Sequence, residues 1–411
     1  MKTHYDTPAS HGFTRRAGLL TVLGSALALA GCGGGGGGGV AGVSSGGTGS
    51  FSAGPITGFG SIILNRNGVR FDDSTASILD DDGNDMRGKL KLGMLATVKG
   101  SAVSGTSATA SSIVVGGELQ GPISAKSASP QTLTVLGQTV RITGSTFFDV
   151  SISGGFASLN VNDIVEVHGL LNPVTNTLTA TFIEKKNSPA LFKIQGLAIN
   201  HDPIAKKFNI GAIRINYSST NPTDVRIIPA NGTLVRVRVT AVLPPLAAPA
   251  EWTATRIRPP EGPNEDRDEA EIEGSITAFT SSAQFSVNGI AVTTSSATRF
   301  DDGTAGLALG VRVEVKGRLS GGVLIAERVK IEDDNEVDNL EFELHGAVSN
   351  VTATTFVVRG VNVNYTGTTQ FRNGTVANLV NGTNVEVKGI ASNSTSPSTS
   401  TSIVATRISF E

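Results

Sequence analysis

Apolar and polar residues alternate along most of the chain beyond residue 50, in short runs that end at glycine, asparagine or aspartate. The stretch 272–279 (IEGSITAF) alternates as one strand, and 285–292 (FSVNGIAV) predicts a hairpin that turns at Asn288-Gly289. The stretch 311–317 (VRVEVKG) puts valines on one face and charged residues on the other. These patterns predict short β-strands and tight turns.

This strand pattern recurs about every 70 residues. Each copy opens on a glycine, and these are Gly54, Gly121, Gly196, Gly274 and Gly346. A second glycine ends the fourth strand of most copies, but the third copy has Thr240 where that glycine is expected and is the most diverged. The sequence therefore predicts five β repeats, at 54–118, 119–190, 191–264, 265–337 and 338–411.

Each repeat contains five short strands, with room for a helical turn between the third and fourth. That plan is typical of an OB-like barrel, in which ring closure buries the apolar faces and removes exposed sheet edges. We therefore expect an all-β protein of five tandem small OB-like β-barrels. A β-sandwich built across neighbouring repeats is the alternative architecture.

The first 31 residues have the features of a signal peptide. A basic head carries Lys2, Arg15 and Arg16, and the apolar run 17–30 is too short to span a bilayer. The run ends in a stretch that resembles the lipobox of bacterial lipoproteins, formed by Leu29, Ala30, Gly31 and Cys32. The resemblance implies that Cys32 is lipidated and anchors the chain to a membrane. Thr14-Arg15-Arg16 resembles a twin-arginine signal, and the general secretory route stays open.

Seven glycines follow Cys32, and the predicted flexible tether covers 32–53. Gly33 stands where many lipoproteins carry a retention aspartate, so the resemblance implies the outer membrane. The face of that membrane is left open. The predicted partners are the membrane, through the anchor, and an envelope protein or polysaccharide.

The repeat consensus G-x-I-T-G-F-G-S-I-x-(V/L)-N-G-V-x-F, followed by T-x-F-D-D-G, L-x-x-G-x-x-V-E-V-K-G and A-x-x-I, resembles the domain of unknown function 5666 family. Residues 54–71 and 270–331 carry the match best. The resemblance implies tandem repeats in an exported lipoprotein. It implies no activity.

Composition narrows the possible functions. The formal net charge of −2 provides no bulk attraction to a polyanion, and one cysteine excludes an internal disulfide framework. Recurring phenylalanines are expected in the core rather than on a stacking surface, so we expect no nucleic-acid binding. They are Phe71, Phe208, Phe285, Phe300, Phe356 and Phe371. Trp252, Tyr217 and Tyr365 are too scattered to form a sugar-binding platform by themselves.

Acidic residues cluster at several places. Asp80, Asp81, Asp82 and Asp85 resemble part of a calcium loop, because hard cations prefer several carboxylates on a tight turn. The equivalent place in the fifth repeat holds Arg372, which favours a plain chain reversal, so we predict no metal and keep calcium as the alternative. The acidic stretches 261–273 and 332–341 are interpreted as solvated linkers, or as cation-bridged joints between barrels.

The sequence offers no recognisable catalytic constellation. His168 and His345 occupy positions that hold other polar residues in the remaining repeats, so both are expected to face water. Neither H-E-x-x-H nor G-x-S-x-G occurs. We therefore expect no catalytic residues, no cofactor and no enzymatic activity, although a glycosidase-like carboxylate pair stays open.

These observations predict an exported, lipid-anchored envelope protein that acts as a structural or binding scaffold. One alternative is a polysaccharide- or small-ligand-binding module, with an aromatic groove near Trp252. Another is an enzyme that uses an unrecognised carboxylate pair.

Overall fold

A computed structural model describes residues 49–65, 68–242, 251–260, 262–263, 265–333, 340–392 and 402–411. Within these ranges the protein is all-β, and its helical residues are confined to four short 3-10 turns. These turns are Val150–Ile152, Gly155–Ser158, Pro222–Asp224 and Val376–Asn378. The predicted signal peptide, the lipobox, Cys32 and the tether up to residue 48 lie outside the described residues.

The strands fall into consecutive segments with one order of elements. Segment one holds β1 (Ser50–Phe59), β2 (Ile62–Leu64), β3 (Arg70–Asp72), β4 (Ser77–Asp80), β5 (Leu95–Gly100) and β6 (Ser107–Val115). Segment two holds β7 (Leu119–Ala128), β8 (Gln131–Val135), β9 (Gln138–Arg141), β10 (Phe147–Phe148), β11 (Ile164–Asn172) and β12 (Thr177–Lys185). Segment three holds β13 (Leu191–Asp202), β14 (Lys207–Ile210), β15 (Ile213–Asn216), β16 (Leu234–Thr240) and β17 (Glu251–Arg258).

The last two segments follow the same order. Segment four holds β18 (Arg267–Ser281), β19 (Gln284–Val287), β20 (Ile290–Thr293), β21 (Arg299–Phe300), β22 (Arg312–Ser320) and β23 (Val323–Ile331). Segment five holds β24 (Glu341–Ser349), β25 (Thr355–Val358), β26 (Val361–Asn364), β27 (Gln370–Arg372), β28 (Asn384–Ser392) and β29 (Ser402–Phe410).

The strands of segment four close into a ring. In segment four, β18 pairs antiparallel with β19 and β22, β20 pairs antiparallel with β19, and β23 pairs parallel with β20 and antiparallel with β22. The same sequence of pairings recurs in the other segments. The structure is thus built of small closed β-barrels, and the all-β prediction is confirmed.

The opening glycine of a repeat lies under the hairpin turn between the second and third strands. Asn288 and Gly289 both have positive φ, 49° and 82°, as this tight turn requires. The Asn288 amide folds back and donates to the Glu273 carbonyl at 3.0 Å. A side chain at Gly274 would overlap that amide. Glycine at position 274 is therefore a packing requirement of the turn above it.

The second recurring glycine sits at a β-bulge between the last two long strands. The register shifts between Lys316 and Gly317, and a Cβ at Gly317 would overlap the Ile325 carbonyl. In segment three the same shift falls between Arg238 and Val239. The prediction that Thr240 takes the place of this glycine is wrong by one residue, because the register aligns Val239 with it.

Strands also pair between segments. Residues 50–53 of β1 run parallel to β18, and Gly58 and Phe59 pair with β24. Lys193 of β13 pairs with Gln120 of β7. The predicted tether is therefore too long at its C-terminal end, because residues 50–53 belong to a strand whose backbone is paired on both sides.

Apolar residues inside the barrels form clusters that cross segment boundaries. One cluster joins segments two and three, another joins segments one and five, and a third fills segment four and includes Phe51. Phe147 of segment two meets Phe342 of segment five edge-to-face, with 4.7 Å between ring centroids. The predicted core role is confirmed for the buried phenylalanines, whereas Phe300 and Phe371 are half-buried. The buried ones are Phe71, Phe208, Phe285 and Phe356.

We predict that Gly274→Ala destabilises the protein by about 1–3 kcal/mol, because the new methyl group forces the Asn288 side chain off the turn. Urea unfolding of the full chain measures this loss. Asn288→Gly in the same chain removes the obstructing amide and should restore most of the stability. Gly367→Ala is the control, since no atom lies within 4 Å of its Cβ position. Equal losses in the two alanine variants would contradict the packing explanation.

Candidate functional site

Polar side chains on the opening strands β7, β13 and β18, and on β11, β16 and β22 that pair with them, are buried where neighbouring segments meet. The charged and polar residues of this kind are Gln120, Glu166, His168, Lys193, Gln195, Arg238, Glu271, Glu273 and Arg312. Burying a charge is costly unless it is paired and hydrogen-bonded. These positions therefore indicate interfaces at which one segment must meet a facing segment with matching polar groups.

One of these interfaces, here called the Asp81 joint, links segments one, two and three. The Asp81 carboxylate is 5% exposed and lies 2.9 Å from Lys193 Nζ and 2.8 Å from Arg236 Nη2. Arg238 Nη2 lies 2.9 Å from the same carboxylate. Burial would raise the pKa of Asp81, but these cations outweigh it and hold the pKa below its ordinary value.

Segment three creates the need for this carboxylate. Its β16 and β17 place Arg236 opposite Arg258 and Arg238 opposite Arg256. Lys193 on β13 is also opposite Arg238. Like charges directly opposite on a sheet are destabilising. The loop after β4 therefore supplies carboxylates to a basic face that segment three cannot balance across its own strands.

The other aspartates of the 80–85 cluster contact Arg238 or backbone N–H groups. Asp82 contacts Arg238 at 2.8 Å. Asp80 accepts hydrogen bonds from the backbone N–H groups of Asp82 and Asn84, and Asp85 accepts one from Arg87. These contacts do not favour the calcium alternative, because the buried carboxylate faces three cations and the other aspartates bind backbone N–H groups or Arg238. Residues 80–85 form the predicted chain reversal. The same loop also contacts segment three through Asp81.

His168 lies inside the same joint, which contradicts the expectation that it faces water. It is 2% exposed, and its Nδ1 accepts a hydrogen bond from the Leu95 N–H of segment one at 3.2 Å. Burial lowers the pKa of His168 to about 4, with Glu166 opposing that change. Glu166 is held 2.8 Å from Lys193 and 2.7 Å from Lys186. The neutral imidazole is thus a built-in acceptor between two barrels.

A second joint, here called the Glu343 joint, links segments one and five. Glu343 pairs with Arg70, with Lys388 at 2.8 Å and with His345 Nε2 at 2.7 Å. Burial would raise the pKa of Glu343, but the hydrogen bonds from His345 and Lys388 lower it to about 2. The hydrogen bond to Glu343 raises the pKa of His345, which is half-buried rather than facing water.

Glu343, His345 and Glu386 have ligand atoms within 4.8 Å of one another, and no other such group occurs among the described residues. A metal ion there would have to displace resident cations. Arg70 and Lys388 already contact Glu343, and Arg407 lies 3.4 Å from Glu386. The donor set therefore fits an ion-pair network better than a metal centre.

The remaining aromatic and histidine candidates are part of the packing. Trp252 is 6% exposed and packs edge-to-face on Phe192 at 5.8 Å, so it does not line a surface groove as the binding-module alternative required. His201 stacks on Tyr217, and its Nε2 lies 2.7 Å from the tyrosine hydroxyl. Tyr365 packs between Phe356 and Phe371.

The acidic stretches before the fourth and fifth repeats are only partly linkers. Residues 267–273 form the start of β18, where Glu273 is buried and pairs with Arg312. Glu332 is buried beside Lys330 at 3.0 Å. The linker interpretation is wrong for Glu273 and Glu332, because both are buried and each contacts a cation.

Three of the barrel segments match one known domain. Residues 120–184, 273–330 and 345–409 match the Domain of unknown function (DUF5666). The chain carries three DUF5666 domains in tandem. The resemblance of the repeats to that family is therefore confirmed, and each DUF5666 match spans one closed ring of segments two, four or five.

No curated protein matches this chain. In the part of the chain that the structure describes, no helix is long and apolar enough to cross a membrane.

We predict that His168 makes the stability of the protein depend on pH. Its folded pKa of about 4 lies below its ordinary value, so the unfolded chain binds the proton more tightly and stability is lost as pH falls from about 6.5 towards 4. His168→Asn keeps an acceptor for the Leu95 N–H but does not titrate. Between pH 7.5 and 5, the variant should lose about 2 kcal/mol less free energy of unfolding than the wild type. Urea titrations at both pH values measure the difference, and identical losses would contradict the assignment.

Proposed function

We propose that this DUF5666 protein is an exported, lipid-anchored envelope protein in which five OB-like barrels form a non-enzymatic scaffold. The observation that carries the proposal is the Asp81 joint, where a buried carboxylate from segment one meets three cations of segment three. Such pairs are costly unless the two surfaces always meet in the same way. A joint of this kind suits a protein whose task is to hold surfaces in a fixed relation.

The ring order supports the OB-like assignment. In segment four β18 lies between β19 and β22, and β20 runs parallel to β23. In segment one β1 lies between β2 and β5, and β3 runs parallel to β6. Segments one and three share this order although the DUF5666 matches do not include them. Five barrels in series account for the shared strand order and for its presence in segments one and three.

The anchor and the location rest on the N-terminal sequence. The basic head, the apolar run and the lipobox occur in the order that lipoprotein export requires, and Gly33 favours the outer membrane. Lipid chains on one residue hold a protein to a bilayer by roughly 0.8 kcal/mol per buried CH₂. The partners would be the membrane and an envelope protein or polysaccharide that binds the outer surfaces of the barrels.

The scaffold role predicts a fixed distance between segments one and three. Spin labels at the exposed positions Thr75 and Ile204, in a chain carrying Cys32→Ser, should give one narrow distance distribution in pulsed electron resonance. Asp81→Asn should broaden it and cost about 3 kcal/mol of stability, because it removes the buried carboxylate that the three cations share. Asp82→Asn is the matched control: its carboxylate is 40% exposed, so it should cost less than about 1 kcal/mol and keep the distribution narrow. A broad distribution in the unmutated joint would rule out a fixed scaffold.

The anchor predicts that Cys32→Ser moves the protein from the membrane fraction to the soluble fraction. Fractionation of cells that express either form measures the partition. Ser45→Ala in the tether is the matched control and should leave the partition unchanged. Membrane retention of the Cys32→Ser chain would refute the lipid anchor without affecting the scaffold proposal.

A further inference from the structure

A cavity of about 310 Å³ lies where the end of the first barrel faces β18, β22 and β23 of segment four. Its apolar lining includes Phe51, Val69, Phe71 and Val103. Barrel mouths are common ligand sites, and this volume is within the range of small-molecule pockets. The cavity is therefore large enough for a small organic ligand.

The opposite wall of the cavity is acidic. Asp268, Glu269 and Glu271 come from β18, and Glu327 comes from β23. Among the described residues that line the cavity, Lys316 is the sole cation. Lys316 is shared, because its Nζ lies 3.3 Å from Glu271 and 2.7 Å from Glu314. The cavity thus combines an apolar floor with an excess of carboxylates.

The pKa values of Glu271 and Glu269 are raised in this acidic wall. The pKa of Glu271 is raised to about 7, mainly by burial and also by Glu314, against the opposing effects of Lys316 and the Asn65 amide. Burial together with Asp268 and Glu327 raises the pKa of Glu269. Both shifts show that the local environment disfavours the negative charge. A bound cation would relieve that cost.

Ser52 supplies an independent sign of a ligand. Ser52 lines the cavity and is 3% exposed, and its hydroxyl has no hydrogen-bond partner among the described residues. Buried hydroxyl groups almost always have a partner. Ser52 and Glu271 are also register partners on neighbouring parallel strands, so their side chains lie on the same side of the sheet. An N–H donor placed between them would satisfy both.

We propose that this cavity binds an organic ammonium ion that carries an apolar body. The alkyl part packs against Phe71 and Val103, and the ammonium group contacts Glu269 and Glu271 and donates to the Ser52 hydroxyl. The same chemistry is offered by a free alkylamine and by a lysine side chain of a partner protein.

Calorimetric titration of the full chain with hexylamine tests the proposal, with hexan-1-ol as the neutral match. We expect hexylamine to bind at least tenfold more tightly than hexan-1-ol. Equal affinities, or no binding of hexylamine at millimolar concentration, would overturn the proposal. N-acetyl-lysine methylamide distinguishes the source: tighter binding than hexylamine favours a partner's lysine, and weaker binding favours a free amine.

Variants separate the charge from the apolar floor. Glu269→Gln alters an exposed residue and should weaken hexylamine binding at least fivefold, and Ser52→Ala should weaken it two- to fivefold. Glu341→Gln, an exposed carboxylate of segment five, is the matched control and should have no effect. Hexylamine affinity that is unchanged in both Glu269→Gln and Ser52→Ala would overturn the recognition of the ammonium group.

The pH dependence gives a second readout. Glu271 is faced by Glu314 and Lys316 from β22 and by Asn65 from segment one. Because a cation binds the ionised carboxylate, hexylamine should bind up to about tenfold more tightly at pH 8 than at pH 6. Tighter binding at pH 6 would contradict the role of Glu271. Neither result bears on the spin-label distances, so the scaffold proposal can fail or stand separately.

Discussion

The ion pairs of Asp81 with Lys193, Arg236 and Arg238 are the interaction on which the arrangement of the barrels depends. A closed barrel satisfies its own backbone and apolar face, so it has no intrinsic need of a neighbour. Segment three is different, because its strands set cation against cation. Asp81, delivered from segment one, supplies the buried carboxylate that contacts three of these cations. The charge pattern of one barrel therefore determines which loop of another barrel it accepts.

The backbone reinforces this selection. The first strand of the chain pairs with strands of segments four and five, and Phe51 enters the apolar cluster of segment four. The Glu343 joint adds a second set of buried charges between segments one and five. Segment one is consequently the hub, contacting each of the other segments through a backbone pairing, an ion pair or a packed side chain. The DUF5666 matches, which omit segment one, do not reveal this role.

The sequence predicted the elements well and the joints poorly. Alternation and the Asn288-Gly289 signal are local, so strand type, turn position and the buried phenylalanines follow from a few adjacent residues. His168 and Asp81 were misjudged because their partners are 73 and more than 100 residues away along the chain. One signal was available: the facing cations of 236–238 and 256–258 require a carboxylate from elsewhere. The cavity beside Ser52 had no comparable signal, since its two walls are separated by about 200 residues.

The pairing of β1 with β18 has a consequence for how the chain acquires its fold. Ser50 meets Glu269, a residue more than 200 positions later in synthesis. Contacts of such long sequence separation form slowly, because the loop must close before any of them is gained. Residues 50–53 pair with β5 on one side, and their other side stays unpaired until segment four has emerged. For as long as that interval lasts, residues 50–53 are an exposed edge that a chaperone or another copy of the chain is able to occupy.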